Sequence, residues 1–139
     1  MSAPIVQAQM LIRKPVAEVF NAFIDPGVTT NFWFSKASGR LEAGKRVRWD
    51  WEMYGASDEI DVKAIEPNKR IVFEWSFPNS NLVEMTFTPH AKGTLVSITN
   101  SGLRGDDVIA LALDLTQGWN LVLAAAKAWL EHGINLNIV

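Results

Sequence analysis

The chain has 139 residues and a net charge of −2. Its composition, 48% hydrophobic and 20% charged, is that of an ordinary folded domain able to bury a core without disulfides or metals. Neither a basic tail nor a lysine cluster is present, so there is no electrostatic reason to expect nucleic acid or an anionic membrane as a partner. Cysteine is absent, which excludes disulfides, thiolate metal sites and cysteine nucleophiles. The first residues lack a signal-peptide pattern and no apolar run reads as a bilayer span, so the expectation is one cytoplasmic domain over residues 1–139 without stable membrane insertion.

Residues Ile5 to Ile12 are mostly apolar and stop at Arg13-Lys14-Pro15, which predicts a first strand. Pro15 suits the first helical position, and Val16, Val19, Phe20 and Phe23 recur at helical spacing until Asp25-Pro26. Val28 to Phe34 ends in three aromatic residues too apolar for water and is expected to be a second short helix. Gly39 and Gly44 then mark a turn or a short strand between turns.

Strict alternation follows. Val47, Trp49, Trp51 and Met53 interleave with Arg46, Arg48, Asp50 and Glu52, the period of a strand with one buried face. After a turn at Gly55-Ala56-Ser57 come Ile60, Val62 and Ala64, and after Pro67-Asn68 come Ile71, Phe73, Trp75 and Phe77. Pro78 to Asn81 turns the chain into Val83, Met85 and Phe87. A further turn at His90 to Gly93 leads to Val96 and Ile98.

From Asp106 to Leu130 the period changes to that of a helix. Val108, Leu111, Ala112, Leu115, Trp119, Val122, Leu123, Ala126, Trp129 and Leu130 form one stripe, with Asp106 or Asp107 as N-cap. Such a helix is roughly 37 Å long, enough to cross a small domain. Short turns predict antiparallel neighbours, and charged residues on alternate positions predict one solvated sheet face. The other face needs a cover, which only the last helix is long enough to supply. The fold class expected is therefore α+β, a curved antiparallel sheet of about six or seven strands wrapped around a long C-terminal helix, with two short helices after the first strand.

Several short stretches are shared, in order, with a known family: Ile12-Arg13-Lys14-Pro15, Glu18-Val19-Phe20-Asn21-Ala22-Phe23, Asp25-Pro26, Trp33-Phe34, Phe73-Glu74-Trp75, Gly118-Trp119 and Leu130-Glu131-His132-Gly133. Through these the chain resembles the heat shock protein 90 ATPase activator homologue-like family, within the START-like (SRPBCC) helix-grip superfamily. The resemblance implies a helix-grip fold with a cavity between sheet and helix that in relatives holds apolar molecules. The superfamily includes carriers, polyketide cyclase-related enzymes and chaperone partners, so it implies no single reaction. The sequence differs from the eukaryotic co-chaperone pattern in having no additional amino-terminal domain before the matching region, which lowers the expectation of chaperone activation.

The sequence shows no evident catalytic set. His90 falls in a turn and His132 beside a helix C-terminus, where a cation is favourable. No metal-binding or phosphate-binding motif is present, so no metal and no cofactor is expected. Alternation places Asp50, Glu52, Glu59, Asp61, Glu74 and Glu84 towards solvent, leaving Asp58 and Glu66 with inward parity and Asp114 beside the helical stripe. These three are the residues a cyclase- or hydrolase-type enzyme would have to use. The aromatic residues are the stronger signal. Broad indoles facing a curved sheet are hard to close-pack, and methionines adapt to an apolar guest. The candidate ligand-binding set is Trp33, Phe34, Trp49, Trp51, Met53, Phe73, Trp75, Met85, Phe87, Leu115 and Trp119, with Tyr54 a possible polar contact. Trp33 and Phe34, on a segment between Gly27 and Gly39, are expected to form part of a lid. The partner expected is an apolar or amphipathic small molecule, with a protein partner as the alternative.

Overall fold

The computed structural model describes residues 3–76 and 80–138. Seven strands, β1 Val6–Ile12, β2 Lys36–Ala37, β3 Arg46–Trp51, β4 Ala56–Glu66, β5 Arg70–Trp75, β6 Asn81–His90 and β7 Gly93–Ser101, form one curved antiparallel sheet. Their order across it is β1-β7-β6-β5-β4-β3-β2. Helices α1 Val16–Ile24 and α2 Pro26–Thr29 follow β1, and α3 Val108–His132 comes last. This is the expected α+β helix grip. Phe77, expected to end β5, and the turn residues Pro78 and Asn79 lie outside the described residues.

Three local differences from the sequence expectation matter for the site. The second short helix covers Pro26–Thr29, one turn capped by the Asp25 carboxylate on the Gly27 N–H, instead of the expected 28–34. Thr29 and Thr30 hydroxyls donate back to main-chain carbonyls, which favours leaving the helix, and Phe32 to Phe34 follow in a turn. Strand β3 stops at Trp51, and Glu52–Tyr54 form a 3₁₀ turn that exits through Gly55 at φ 62°. Consequently Met53 is not the next inward residue of a strand. In β4 the register shifts between Val62 and Ala64, so that Ala64 pairs with Val72, Ile65 with Ile71 and Glu66 with Arg70. One extra residue reverses the alternation beyond it. Ala64 and Glu66, both expected inward, therefore take the outer parity, and Glu66 forms an ion pair with Arg70.

The inner face of the sheet is covered from two directions. At one end α1 packs Phe20 and Phe23 against Phe87, with ring centroids 5.1 and 5.8 Å apart. Along the other direction α3, N-capped by Asp107, buries Trp119, Val122, Leu123, Ala125 and Ala126. Val108, Leu111, Ala112, Leu115, Trp129 and Leu130 pack partly buried against the same core. Helix α3 is long and apolar enough, with a mean hydropathy of 1.5, to cross a membrane by length and composition, although no run was expected to be. Small residues such as Ala124, Ala125, Ala126 and Ala128 raise its hydropathy, and it is the core helix of this domain.

The last turns of α3 are tied to the start of the chain. Lys127 Nζ donates to the Leu11 carbonyl at 2.6 Å and to Glu131 Oε2 at 2.6 Å, while the Arg13 N–H donates to the same carboxylate at 2.9 Å. The Glu131 side chain is only 7% exposed. Burial works to raise its carboxyl pKa, but the Lys127 ammonium and the Arg13 N–H outweigh burial and hold it below the ordinary value of 4.5. A group depressed in the folded state stabilises fully above its unfolded pKa and ceases to do so as pH falls through the folded value. Glu131→Gln is thus expected to cost about 1 to 3 kcal/mol at neutral pH. Denaturant titrations from pH 7 downward should show the loss of wild-type stability below pH 4.5 to be steeper than that of the variant.

Candidate functional site

The ends of five strands meet at the edge of the sheet remote from α1. Antiparallel pairing brings the end of β3 (Trp51), the start of β4 (Ala56 to Asp58), the end of β5 (Trp75), the start of β6 (Asn81) and the end of β7 (Asn100) to one rim. The middle of α3 passes over them. Between helix and rim lies a cavity of about 580 Å³, within the range that drug-sized ligands occupy.

Four tryptophans make its wall. Trp51 and Trp75 lie nearly parallel, 27° and 6.2 Å apart, and Trp119 stands against Trp75 at 86° and 5.6 Å. Trp33, 8% exposed, packs on Trp119 at 5.4 Å and reaches the cavity from the segment after α2. Leu115 and Val122 supply the aliphatic side, one turn either side of Gly118 and Trp119. Gly118 deepens the cavity by what it lacks, for a Cβ built there would meet nothing within 4 Å.

A polar row lies behind the rings. The Trp119 indole N–H donates to Asn100 Oδ1 at 3.1 Å, and the Asn100 amide donates to Asn81 Oδ1 at 2.8 Å and to the Leu82 carbonyl at 3.1 Å. Both asparagines are buried and border the cavity. On the neighbouring strands the Trp75 indole N–H and the Ser76 hydroxyl each donate to the Asp58 carboxylate at 2.5 Å, and the Glu59 N–H donates to it at 2.8 Å. Each buried side-chain nitrogen or oxygen among the described residues has a partner.

Of the eleven expected binding residues, Trp33, Trp51, Trp75, Leu115 and Trp119 line this cavity. Phe34 and Trp49 are packed behind the wall, stacked at 4.6 Å and 15°. Phe73 and Met85 are buried midway along their strands, and Phe87 belongs to the opposite end beneath α1. Met53, 55% exposed, borders a separate pocket of about 220 Å³ beside Asn135 and Asn137. The expected lid segment is tied down, with the Phe32 and Trp33 N–H groups donating to the Thr29 carbonyl and the Ser35 N–H to Asp50. Among the described residues the exposed residues that border the cavity are Tyr54, Ala56, Ser57, Asp114, Gln117 and Ile138.

The three carboxylates considered for catalysis separate in the same way. Asp58 and Asp114 reach the cavity and Glu66 does not. His90 and His132 are exposed away from it, and no group of three or more metal-ligating side chains occurs among the described residues. Sequence reading passed over Asn81 and Asn100. Both lie one step of two beyond residues read as inward, Val83 and Ile98, so extending each alternation would have found them.

Shortening Trp119 tests the polar row. Trp119→Phe keeps most of the buried ring but leaves Asn100 Oδ1 without its donor, an expected loss of about 1 to 3 kcal/mol. Trp119→Ala is expected to cost about 3 to 5 kcal/mol. Equilibrium unfolding of the two variants against the wild type should separate hydrogen bond from volume, and a Trp119→Phe variant as stable as the wild type would show that the indole N–H contributes nothing.

Comparison with known proteins supports this architecture. The family model for Activator of Hsp90 ATPase homolog 1-like protein matches residues 13–131. Protein SSP2350 from Staphylococcus saprophyticus is 30% identical, with a TM-score of 0.89 over 98% of each chain. DynU16, from the dynemicin biosynthetic locus, is 27% identical with a TM-score of 0.83, the match covering 94% of this chain and 48% of DynU16. The Aha1 dimer from Colwellia psychrerythraea, at 16% identity and a TM-score of 0.82 over 94% of this chain and 98% of that one, shares the fold. None of the curated proteins matches the chain.

Proposed function

The chain belongs to the Activator of Hsp90 ATPase homolog 1-like family, and from that premise we propose that it is a cytoplasmic binding module taking an apolar or amphipathic small molecule between sheet and helix. The observation that carries this reading is the cavity of about 580 Å³ walled by Trp33, Trp51, Trp75 and Trp119. Rings already packed on one another lose little freedom when a guest arrives, and the cost of ordering a binding site is correspondingly low. Asn81, Asn100 and Asp58 give the guest a polar end to align with. Helix and sheet need not separate for binding, because the opening lies at the rim.

Gly118 offers the direct test. A Cβ there meets nothing within 4 Å, the position borders open cavity, and a side chain removes the helix penalty of glycine, so Gly118→Leu is expected to leave stability unchanged or raise it by up to about 1 kcal/mol. The same side chain projects into the cavity and takes up part of its volume. Native mass spectrometry of freshly purified protein is expected to show an added small-molecule mass on the wild type that Gly118→Leu lacks. Two bare proteins, or equal loading of both, would count against the reading.

A second reading has one observation in its favour. Asp58 and Asp114 both line the cavity, and carboxylates are what a cyclase- or hydrolase-type reaction would need for acid–base work. Conversion of an extracted guest by the wild type, abolished in Asp58→Asn and Asp114→Asn, would establish it; binding without conversion leaves the module a carrier.

A further inference from the structure

The charge of the cavity says more about its guest than the cavity's size does. Asp58 and Asp114 are the charged residues on the wall, and no lysine, arginine or histidine lines it among the described residues. Among the described residues neither carboxylate takes part in an ion pair, although most other acidic residues of the sheet do, as in Arg46–Asp61, Arg48–Asp50 and Arg70–Glu84. Asp58 is held by three neutral donors, which position it without cancelling its charge. An apolar cavity that keeps an uncompensated negative charge on its wall disfavours an anion and favours a cation.

The rings point the same way. Indole faces attract cations through their quadrupole more strongly than other side chains do. Trp51, Trp75 and Trp119 present two orientations of ring to one space, and Tyr54 stands at its rim. The Trp75 N–H donates to Asp58, and donation to a carboxylate pushes electron density into the ring, making its face a better cation acceptor. Resting on the binding-module reading above, we infer that the guest carries an amine or quaternary ammonium group, seated among Trp51, Trp75 and Trp119 beside Asp58, with its apolar body extending along Leu115 and Val122.

Three probes with one apolar body separate charge from hydrophobicity: decyltrimethylammonium, decanol and decanoate, each titrated calorimetrically below its micelle threshold. The ammonium is expected to bind the wild type about tenfold more tightly than decanol, the scale of a desolvated cation–π contact joined to a nearby carboxylate, and decanoate to bind most weakly. Asp114, exposed and without an ion pair, can be changed with little risk to folding. Asp114→Asn is expected to weaken the ammonium about threefold and leave decanol unaltered. Gly118→Leu, which narrows the cavity, is expected to weaken binding of all three. Decanol or decanoate binding as tightly as the ammonium would overturn the cation assignment while leaving the binding module standing, as would an equal effect of Asp114→Asn on every probe. Ammonium binding unchanged by Gly118→Leu would place it elsewhere on the surface and overturn the assignment too. If no probe binds the wild type, the module reading falls together with the inference.

Discussion

A straight rod laid across a curved sheet cannot touch it everywhere. Helix α3 is a single run of 25 residues and the sheet beneath it is bent, so close packing where they meet leaves space where they diverge. The two ends of the sheet treat that geometry differently. Beneath α1, Phe20 and Phe23 close on Phe87, ring against ring. At the other end the strands finish in tryptophans, which surround the space without filling it. Gly118, beside Trp119, is a position on the cavity-lining stretch of α3 that carries no side chain to occupy that space. The cavity follows from the mismatch and from a residue choice that preserves it.

Placing polar groups at the bottom of such a space is costly unless they satisfy one another. Here they do. Asn100 spends its amide on Asn81 and a main-chain carbonyl and its oxygen on Trp119, and this chain of bonds joins β6, β7 and α3 at the depth where the hydrophobic contacts thin out. Asp58 does the same across β4 and β5. These bonds fix the ring planes as well as the strands. Trp75 and Trp119 are thus pinned at their ring nitrogens, which holds two of the four wall indoles in place.

The order of elements, the antiparallel pairing and the covering helix are legible in the sequence because each depends on periodicity, and the period changes cleanly from two to that of a helix. The site is less legible for a related reason. Alternation reveals which face a side chain takes but not its height along the strand, so Phe73, Met85 and Phe87 share the inner face with Trp75 and yet lie progressively farther from the cavity. Counting residues from the strand ends would have ranked them. Parity also fails silently at a bulge, as at Val62 to Ala64, where one inserted residue moves Glu66 outward, and at the end of β3, where a 3₁₀ turn carries Met53 to the surface. Asn81 and Asn100 were overlooked because polar residues on an inner face end a hydrophobic pattern to the eye, although the strand itself continues.

Five of the six tryptophans, Trp33, Trp49, Trp51, Trp75 and Trp119, form a continuous cluster in which neighbouring ring centroids lie between 4.8 and 6.3 Å apart. Indoles this near exchange electronic excitation much faster than they emit, and their coupled transitions rotate polarised light in a way that isolated rings do not. Light absorbed anywhere in the cluster is thereby shared with the rings that face the cavity. An acceptor or quencher lodged against Trp75 would darken Trp49 as well, although Trp49 does not border the cavity. The packing that shapes the cavity thus makes its contents optically visible without any label.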